Sequence, residues 1–263
     1  MSATATVGDR RLEFSDGFGR GSLDSTRWLP AYLPQWSSRA QAAPRYTFED
    51  GRLVLQITAD QPPWCPRWDG ATRVSSIQTG VFSGPVGSPV GQSRFRPDLV
   101  VTEAQASSRL YTPRYGRIEM RASAIADPDA MIALWMIGFE DEPDRSGEIC
   151  VCEIFGRDVR SGSARVGMGI HPFGDPRLID DFEQVEIAID AVEPHAYAAE
   201  WSPTGVDFLV DDRLVKRTAQ SPDYEMQLML GIYAFEPSGS EGYPKRFVVD
   251  HVRGYAPALG RIS

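Results

Sequence analysis

The feature that most constrains this chain is that its apolar residues alternate instead of recurring at helical spacing. Leu53, Leu55 and Ile57 fall on one side of residues 52–58, and Val185, Ile187 and Ile189 on one side of residues 184–190. A period of two is the signature of a half-buried strand, whose successive side chains point to opposite faces. Val206–Val210, then Asp211-Asp212, then Arg213–Lys216 reads as a hairpin closed by a short acidic turn. The unbroken apolar runs Met131–Phe139, Met226–Phe235 and Phe247–Val252 read as strands bordering a core. No long i, i+3, i+4, i+7 stripe with caps is present, and 24 Gly and 20 Pro punctuate the short runs. That pattern predicts an all-β sandwich or closed barrel, and 263 residues suit a single domain spanning 1–263.

One segment breaks the rhythm. Residues 59–97 hold Pro62, Pro63, Pro66, Pro85, Pro89 and Pro97 together with Trp64, Cys65 and Trp68. A Pro/Gly-rich loop this long inside a compact domain is either a wall of a binding cleft or a surface insertion packed on its own tryptophans. Charge narrows the partners: 27 basic against 36 acidic residues leaves a net −9, with no Lys/Arg-rich run, which argues against nucleic acid. No stretch of about 18 apolar residues is long enough to span a membrane as a helix. The opening Met1–Arg10 segment has no basic region followed by an apolar one, so a cytoplasmic location is expected, or an extracellular one if a leader has been trimmed. The three cysteines, Cys65, Cys150 and Cys152, form no disulfide framework and carry no zinc-finger spacing with His171, His195 and His251.

The informative segment is Gly147-Glu-Ile-Cys-Val-Cys-Glu-Ile-Phe-Gly156, with Glu148 and Glu153 five positions apart in an apolar strand. Buried carboxylates are costly unless paired or used. In a regular strand the two would face opposite sides, whereas a one-residue bulge between them would restore a common face. Their Cα atoms would then lie about four steps apart, ~13 Å. Two carboxyls at one site can divide the labour of retaining glycoside hydrolysis, one attacking the anomeric carbon and the other holding the proton for the leaving oxygen. By itself the pair is equally compatible with two solvated glutamates on an edge strand.

Glu148-Ile-Cys-Val-Cys-Glu153 resembles the Glu-x-Asp-x-x-Glu signature of glycoside hydrolase family 16, the laminarinase and β-glucanase group. The likeness extends from about Phe14 to Tyr255. Ser108-Arg-Leu110, Tyr115–Arg121, Ala133–Gly138, His171-Pro-Phe-Gly174, His195–Pro203 and Phe247–Val252 are similar to ordered segments of that family. The resemblance implies a two-sheet antiparallel β-sandwich, a concanavalin-like jelly roll, with a concave sugar cleft. It implies Glu148 as nucleophile and Glu153 as general acid/base in cleavage of a β-1,3- or mixed-linked glucan, with no cofactor required for the chemistry. Trp135 is then the leading sugar platform, with Arg109, His171 and Trp201 as further substrate-binding candidates. Family likeness also implies a structural calcium held by Glu13, the Gly51 carbonyl and Asp250.

Cys150 departs from the pattern, standing where the family carries Asp. It shares a face with Glu148, so a neutral thiol would replace a carboxyl beside the nucleophile. The expectation is a monomeric hydrolase acting on a polysaccharide or oligosaccharide with reduced turnover. The competing readings are a catalytically attenuated carbohydrate-binding protein and a transglycosylase using the same cleft.

Overall fold

The computed structural model describes residues 6–7, 10–235 and 242–258; the remaining positions of the 1–263 span, part of the Met1–Arg10 segment among them, lie outside the described residues. The described residues form the expected two-sheet antiparallel β-sandwich. One sheet has nine strands. Along its main path run Thr6–Val7, Arg10–Asp16, Lys245–Tyr255, Gly116–Ser123, His195–Ser202, Gly205–Val210 and Arg213–Thr218, with the Arg45–Glu49/Arg52–Ile57 hairpin attached to Lys245–Tyr255. The other has seven strands. Its order is Val159–Arg160, Ser163–His171, Glu148–Phe155, Ala130–Gly138, Met226–Ala234 and Arg73–Gln78, with Glu183–Ile187 beside Ser163–His171.

Period two decides which residues meet between the sheets. In Ala130–Gly138, Ile132, Leu134 and Met136 enter the sandwich core, while Met131, Ala133, Trp135 and Ile137 point to the other side. Leu53, Leu55 and Ile57 are fully buried in that core, as their alternation predicts. The Asp211-Asp212 turn is a two-residue hairpin loop with both residues at positive φ, 48° and 61°, the geometry whose twist suits adjoining strands.

The outward face of the seven-stranded sheet is not left to water. Leu33, Trp36, Ala42, Trp64, Cys65, Leu99 and Val101 from three loops pack on Met131, Ala133, Trp135, Ile137, Met229 and Tyr233, forming a second apolar cluster. The 59–97 segment is not the single loop expected: it contains the Arg73–Gln78 strand of the seven-stranded sheet, and the loops on either side of that strand pack as walls, with Trp64 buried and its Nε1 donating to Asp69. Pro66–Asp69 is a single helical turn within it.

The calcium expectation does not fit the described residues. Glu13 faces solvent and pairs with Arg11, and Asp250 pairs with Arg121 at 3.2 Å. Phe14 lies opposite Gly254, so Glu13 sits four to five steps along that strand from Asp250, about 13 Å or more. The buried acid of the Arg10–Asp16 strand is Asp16, which already accepts from the Phe18 N–H and Trp28 Nε1. Among the described residues no three His, Cys, Asp or Glu side chains gather as a metal site.

Candidate active site

The Glu148–Phe155 strand carries the bulge that the glutamate spacing demands. Cys150 pairs with Trp135 and Cys152 with Leu134, leaving Val151 as the additional residue; on the other side Cys150 pairs with Gly169 and Glu153 with Gly167. Ile149, Val151, Cys152 and Ile154 consequently enter the sandwich core, while Glu148, Cys150, Glu153 and Phe155 line one groove on the outward face. Glu148 lies opposite Ile137 and Glu153 opposite Ala133, four positions apart on the neighbouring strand, or about 13 Å between backbones.

That groove encloses about 270 Å³. Besides the two glutamates and Cys150, its lining includes Trp135, Tyr32, Tyr233 and Phe95. Trp135 is buried and its Nε1 donates to the Tyr233 hydroxyl at 2.9 Å. Tyr32 packs edge-on against Tyr233, Trp135 and Trp64. The result is an aromatic floor and wall beside two carboxyls, the combination that packs apolar sugar faces and orients hydroxyls.

Burial governs the charges. It pushes the Glu148 carboxyl up to about 8, with the like charges of Glu153 and Asp180 adding to the rise. Burial also raises Glu153, opposed by the positive charges of His171 and Arg157. Cys150 is buried and held well above an ordinary thiol, first by desolvation and then by both glutamates, so it is neutral. Its Sγ donates weakly to the Gly167 carbonyl at 3.8 Å, away from Glu148. Hence no side chain among the described residues gives Glu148 the hydrogen bond that a neighbouring carboxyl could supply.

His171 pairs across the strand with Glu148; its Nδ1 contacts Asp180 at 2.9 Å and its ring stacks on Phe182. The other two binding candidates lie elsewhere. Arg109 stacks on Phe139 and is ion-paired to Asp141 and Glu225, which places its guanidinium outside the groove lining. Trp201 is buried on the nine-stranded sheet, in the sandwich core, where its Nε1 donates to Ser221 and the Pro222 carbonyl. Parity explains it: Trp201 shares a side with Tyr197 and Ala199, both core residues. Sequence reasoning missed Tyr32, Phe95 and Tyr233. For Tyr233 a signal existed, since it falls two steps from Gly231 and four from Met229, on the face opposite Leu230 and Ile232.

Residues 98–245 match the family model "Glycosyl hydrolases family 16". The chain belongs to glycoside hydrolase family 16. The matched region contains both glutamates and the strands on either side of them. Among solved structures, the chain is similar to a GlcNAcα1-4Gal releasing endo-β-galactosidase from Clostridium perfringens, with 31% identity over 98% of this chain and a TM-score of 0.84. The chain spans 65% of the length of that protein. It is also similar to a laminarinase from Flavobacterium sp. UMI-01, at 18% identity over 93% of this chain and all of that one, with a TM-score of 0.62. The laminarinase catalytic domain of Thermotoga maritima MSB8 matches at 18% identity over 94% of this chain and 98% of that one, with a TM-score of 0.60. No curated protein matches the chain.

Proposed function

We propose that this family 16 protein is an endo-acting, retaining glycoside hydrolase whose substrate is a glycan containing β-linked galactose. The observation that carries the reaction is the bulge at Val151, which turns Glu148 and Glu153 into one groove beside Trp135. Glu148 attacks the anomeric carbon and displaces the leaving sugar, whose oxygen takes the proton of Glu153. Glu153, now anionic, removes a proton from water as that water cleaves the glycosyl–Glu148 ester. Burial raises both carboxyls and pushes Glu148 to about 8, so the reaction draws on the fraction of molecules in which Glu148 is ionised and Glu153 holds the proton.

The galactoside preference rests on the likeness to the C. perfringens endo-β-galactosidase, at 31% identity. The β-1,3- or mixed-linked glucan reading expected from the sequence rests on laminarinases at 18% identity, a likeness of fold. The test is reducing-end release from galactose-containing glycans, laminarin and barley β-glucan, with Glu148→Gln as the blank. Release from the galactosides that vanishes in the blank supports the proposal; release from the glucans alone transfers it to the laminarinase reading. One observation favours a second reading, an attenuated sugar-binding protein: Glu148 is pushed to about 8 and Cys150 gives it no hydrogen bond. No release from any polymer, with sugars still bound, would select that reading.

A further inference from the structure

Beyond the Glu148 end of the groove lies a second, larger space of about 590 Å³ that the proposed chemistry does not use. Ser93, Phe95 and Phe173 line both spaces, so the two adjoin. Its walls come from the 89–97 stretch of the Pro-rich segment, the turn after Ala130–Gly138, and the Phe173-Gly174 turn. Ser146 Oγ accepts the Gly174 N–H at 2.9 Å and ties two of these walls together.

Glu140 is the unusual member. It is only 7% exposed, yet its sole bond is the Ser93 N–H donating to Oε1 at 2.6 Å. Its second oxygen has no hydrogen-bond partner among the described residues, and no cation pairs with it. That oxygen is not shut away from solvent, so it is free to bond whatever occupies the compartment. The aromatic residues complement it. Phe95 is anchored on Trp64 with ring centres 5.9 Å apart, whereas Phe173 leans toward His171 and remains half exposed. Ser93, Glu140 and Phe173 all hold left-handed backbone, at φ 49°, 58° and 44°, three of the nine such non-glycine residues among those described. Strain of this kind persists where surrounding structure enforces it, and it clusters at ligand sites.

We propose that this compartment is an accessory subsite for an uncharged pyranose of the same glycan, with Phe95 and Phe173 against its ring and the free oxygen of Glu140 bonded to its hydroxyls. The proposal rests on the galactoside reading above, because the sugar it holds is the unit attached to the galactose placed over Glu148. An anionic unit would find little to hold it: of the two arginines at the rim, Arg96 is already paired with Asp98 and Arg94 donates to the Pro97 carbonyl. Glu140 can hold its proton at neutral pH because burial raises it to about 8, which lets its free oxygen serve as donor or acceptor.

The test titrates the Glu148→Gln protein with galactose, with the GlcNAcα1-4Gal disaccharide, and with a sulfated galactose. In that background Phe173→Ala removes an aromatic face. Glu140→Gln keeps the Ser93 bond but presents a donor-only amide in place of the free oxygen. Each should weaken the disaccharide roughly five- to tenfold while leaving galactose within about twofold. Unaltered melting curves would confirm that both variants are folded, and Phe173→Ala, at an exposed position, remains informative if Glu140→Gln is not. Disaccharide affinity unchanged in both variants, a sulfated sugar bound more tightly than the neutral ones, or no sugar binding at all overturns the subsite. Polymer cleavage by the unmodified protein with binding insensitive to these variants sinks the subsite and spares the hydrolase. Sensitive binding without cleavage does the reverse.

Discussion

The substitution Cys150→Asp offers the sharpest test of how this site handles charge. Glu148 must be ionised to attack, and burial holds it at about 8. At pH 6, two units lower, only about 1% of the free enzyme then carries the reactive carboxylate. The Cys150 thiol is neutral, and its proton is directed at the Gly167 carbonyl. A protonated Asp at the same position, sharing its face with Glu148, could donate a charge-assisted hydrogen bond to the carboxylate. Such bonds contribute about 1.5–3 kcal/mol, equivalent to roughly one to two pKa units. Lowering Glu148 by that amount raises the ionised fraction at pH 6 to between about 10% and 50%. The expected gain in kcat/KM is therefore roughly 10- to 50-fold at pH 6, shrinking to nothing near pH 9, where the cysteine enzyme is already about 90% ionised. Reducing-end release measured from pH 5 to 9.5 for both proteins resolves it. A gain of equal size at pH 6 and pH 9, or none at either, would refute the reasoning, because neither follows from a shift in the ionisation of Glu148.

Other consequences are checked by stability. Below about pH 4.5 both folded and unfolded chains hold the Glu148 proton; between there and pH 8 the unfolded chain ionises while the folded one does not, so folding stability falls as pH rises. Glu148→Gln should thus leave Tm unchanged at pH 4 and raise it on the order of 5–10 °C at pH 8.5 in parallel thermal melts. Lys245 is 1% exposed and bonded to the half-buried Asp127 at 2.5 Å, so Lys245→Met strips that carboxylate of its cation and should cost about 1–3 kcal/mol in urea unfolding. The Tyr224 hydroxyl accepts the Gly147 N–H at 2.7 Å and donates to Asp175 at 2.9 Å; Tyr224→Phe should cost about 1–3 kcal/mol and lower kcat more than it raises KM, because it loosens the residue preceding Glu148.

Much of the architecture was legible because period two is a local signal. It placed Leu53, Leu55 and Ile57 inward, predicted the Asp211-Asp212 hairpin, and meant that Glu148 and Glu153 could share a face only through a bulge between them. Illegible was everything that depends on which distant strands become neighbours. Nothing near Glu148 in the chain announces that His171 lies opposite it, or that Tyr32 and Tyr233 would meet at Trp135. Arg109 shows the cost of arguing from resemblance without partners: its acceptors, Asp141 and Glu225, come from separate parts of the chain. The calcium expectation failed because strand register sets Glu13 four to five steps from Asp250, a separation no local pattern announces.

The loops over the outward face connect stability to chemistry. A sheet sandwich needs only one face of the Ala130–Gly138 strand, and its core is complete without Trp135 or Ala133. The second apolar cluster, built from Leu33, Trp36, Trp64, Leu99 and Val101, covers part of the other face and excludes water along one side of the groove. That dryness keeps Glu148 protonated at neutral pH, and it also positions Phe95 between the groove and the Glu140 compartment. The covering layer is therefore both wall and dielectric. Loosening it, for instance at Trp64, should admit water, lower the Glu148 carboxyl toward its ordinary range and disorder the Phe95 side of the accessory compartment in one step. Ionisation and sugar reach are in that sense set by the same packed layer.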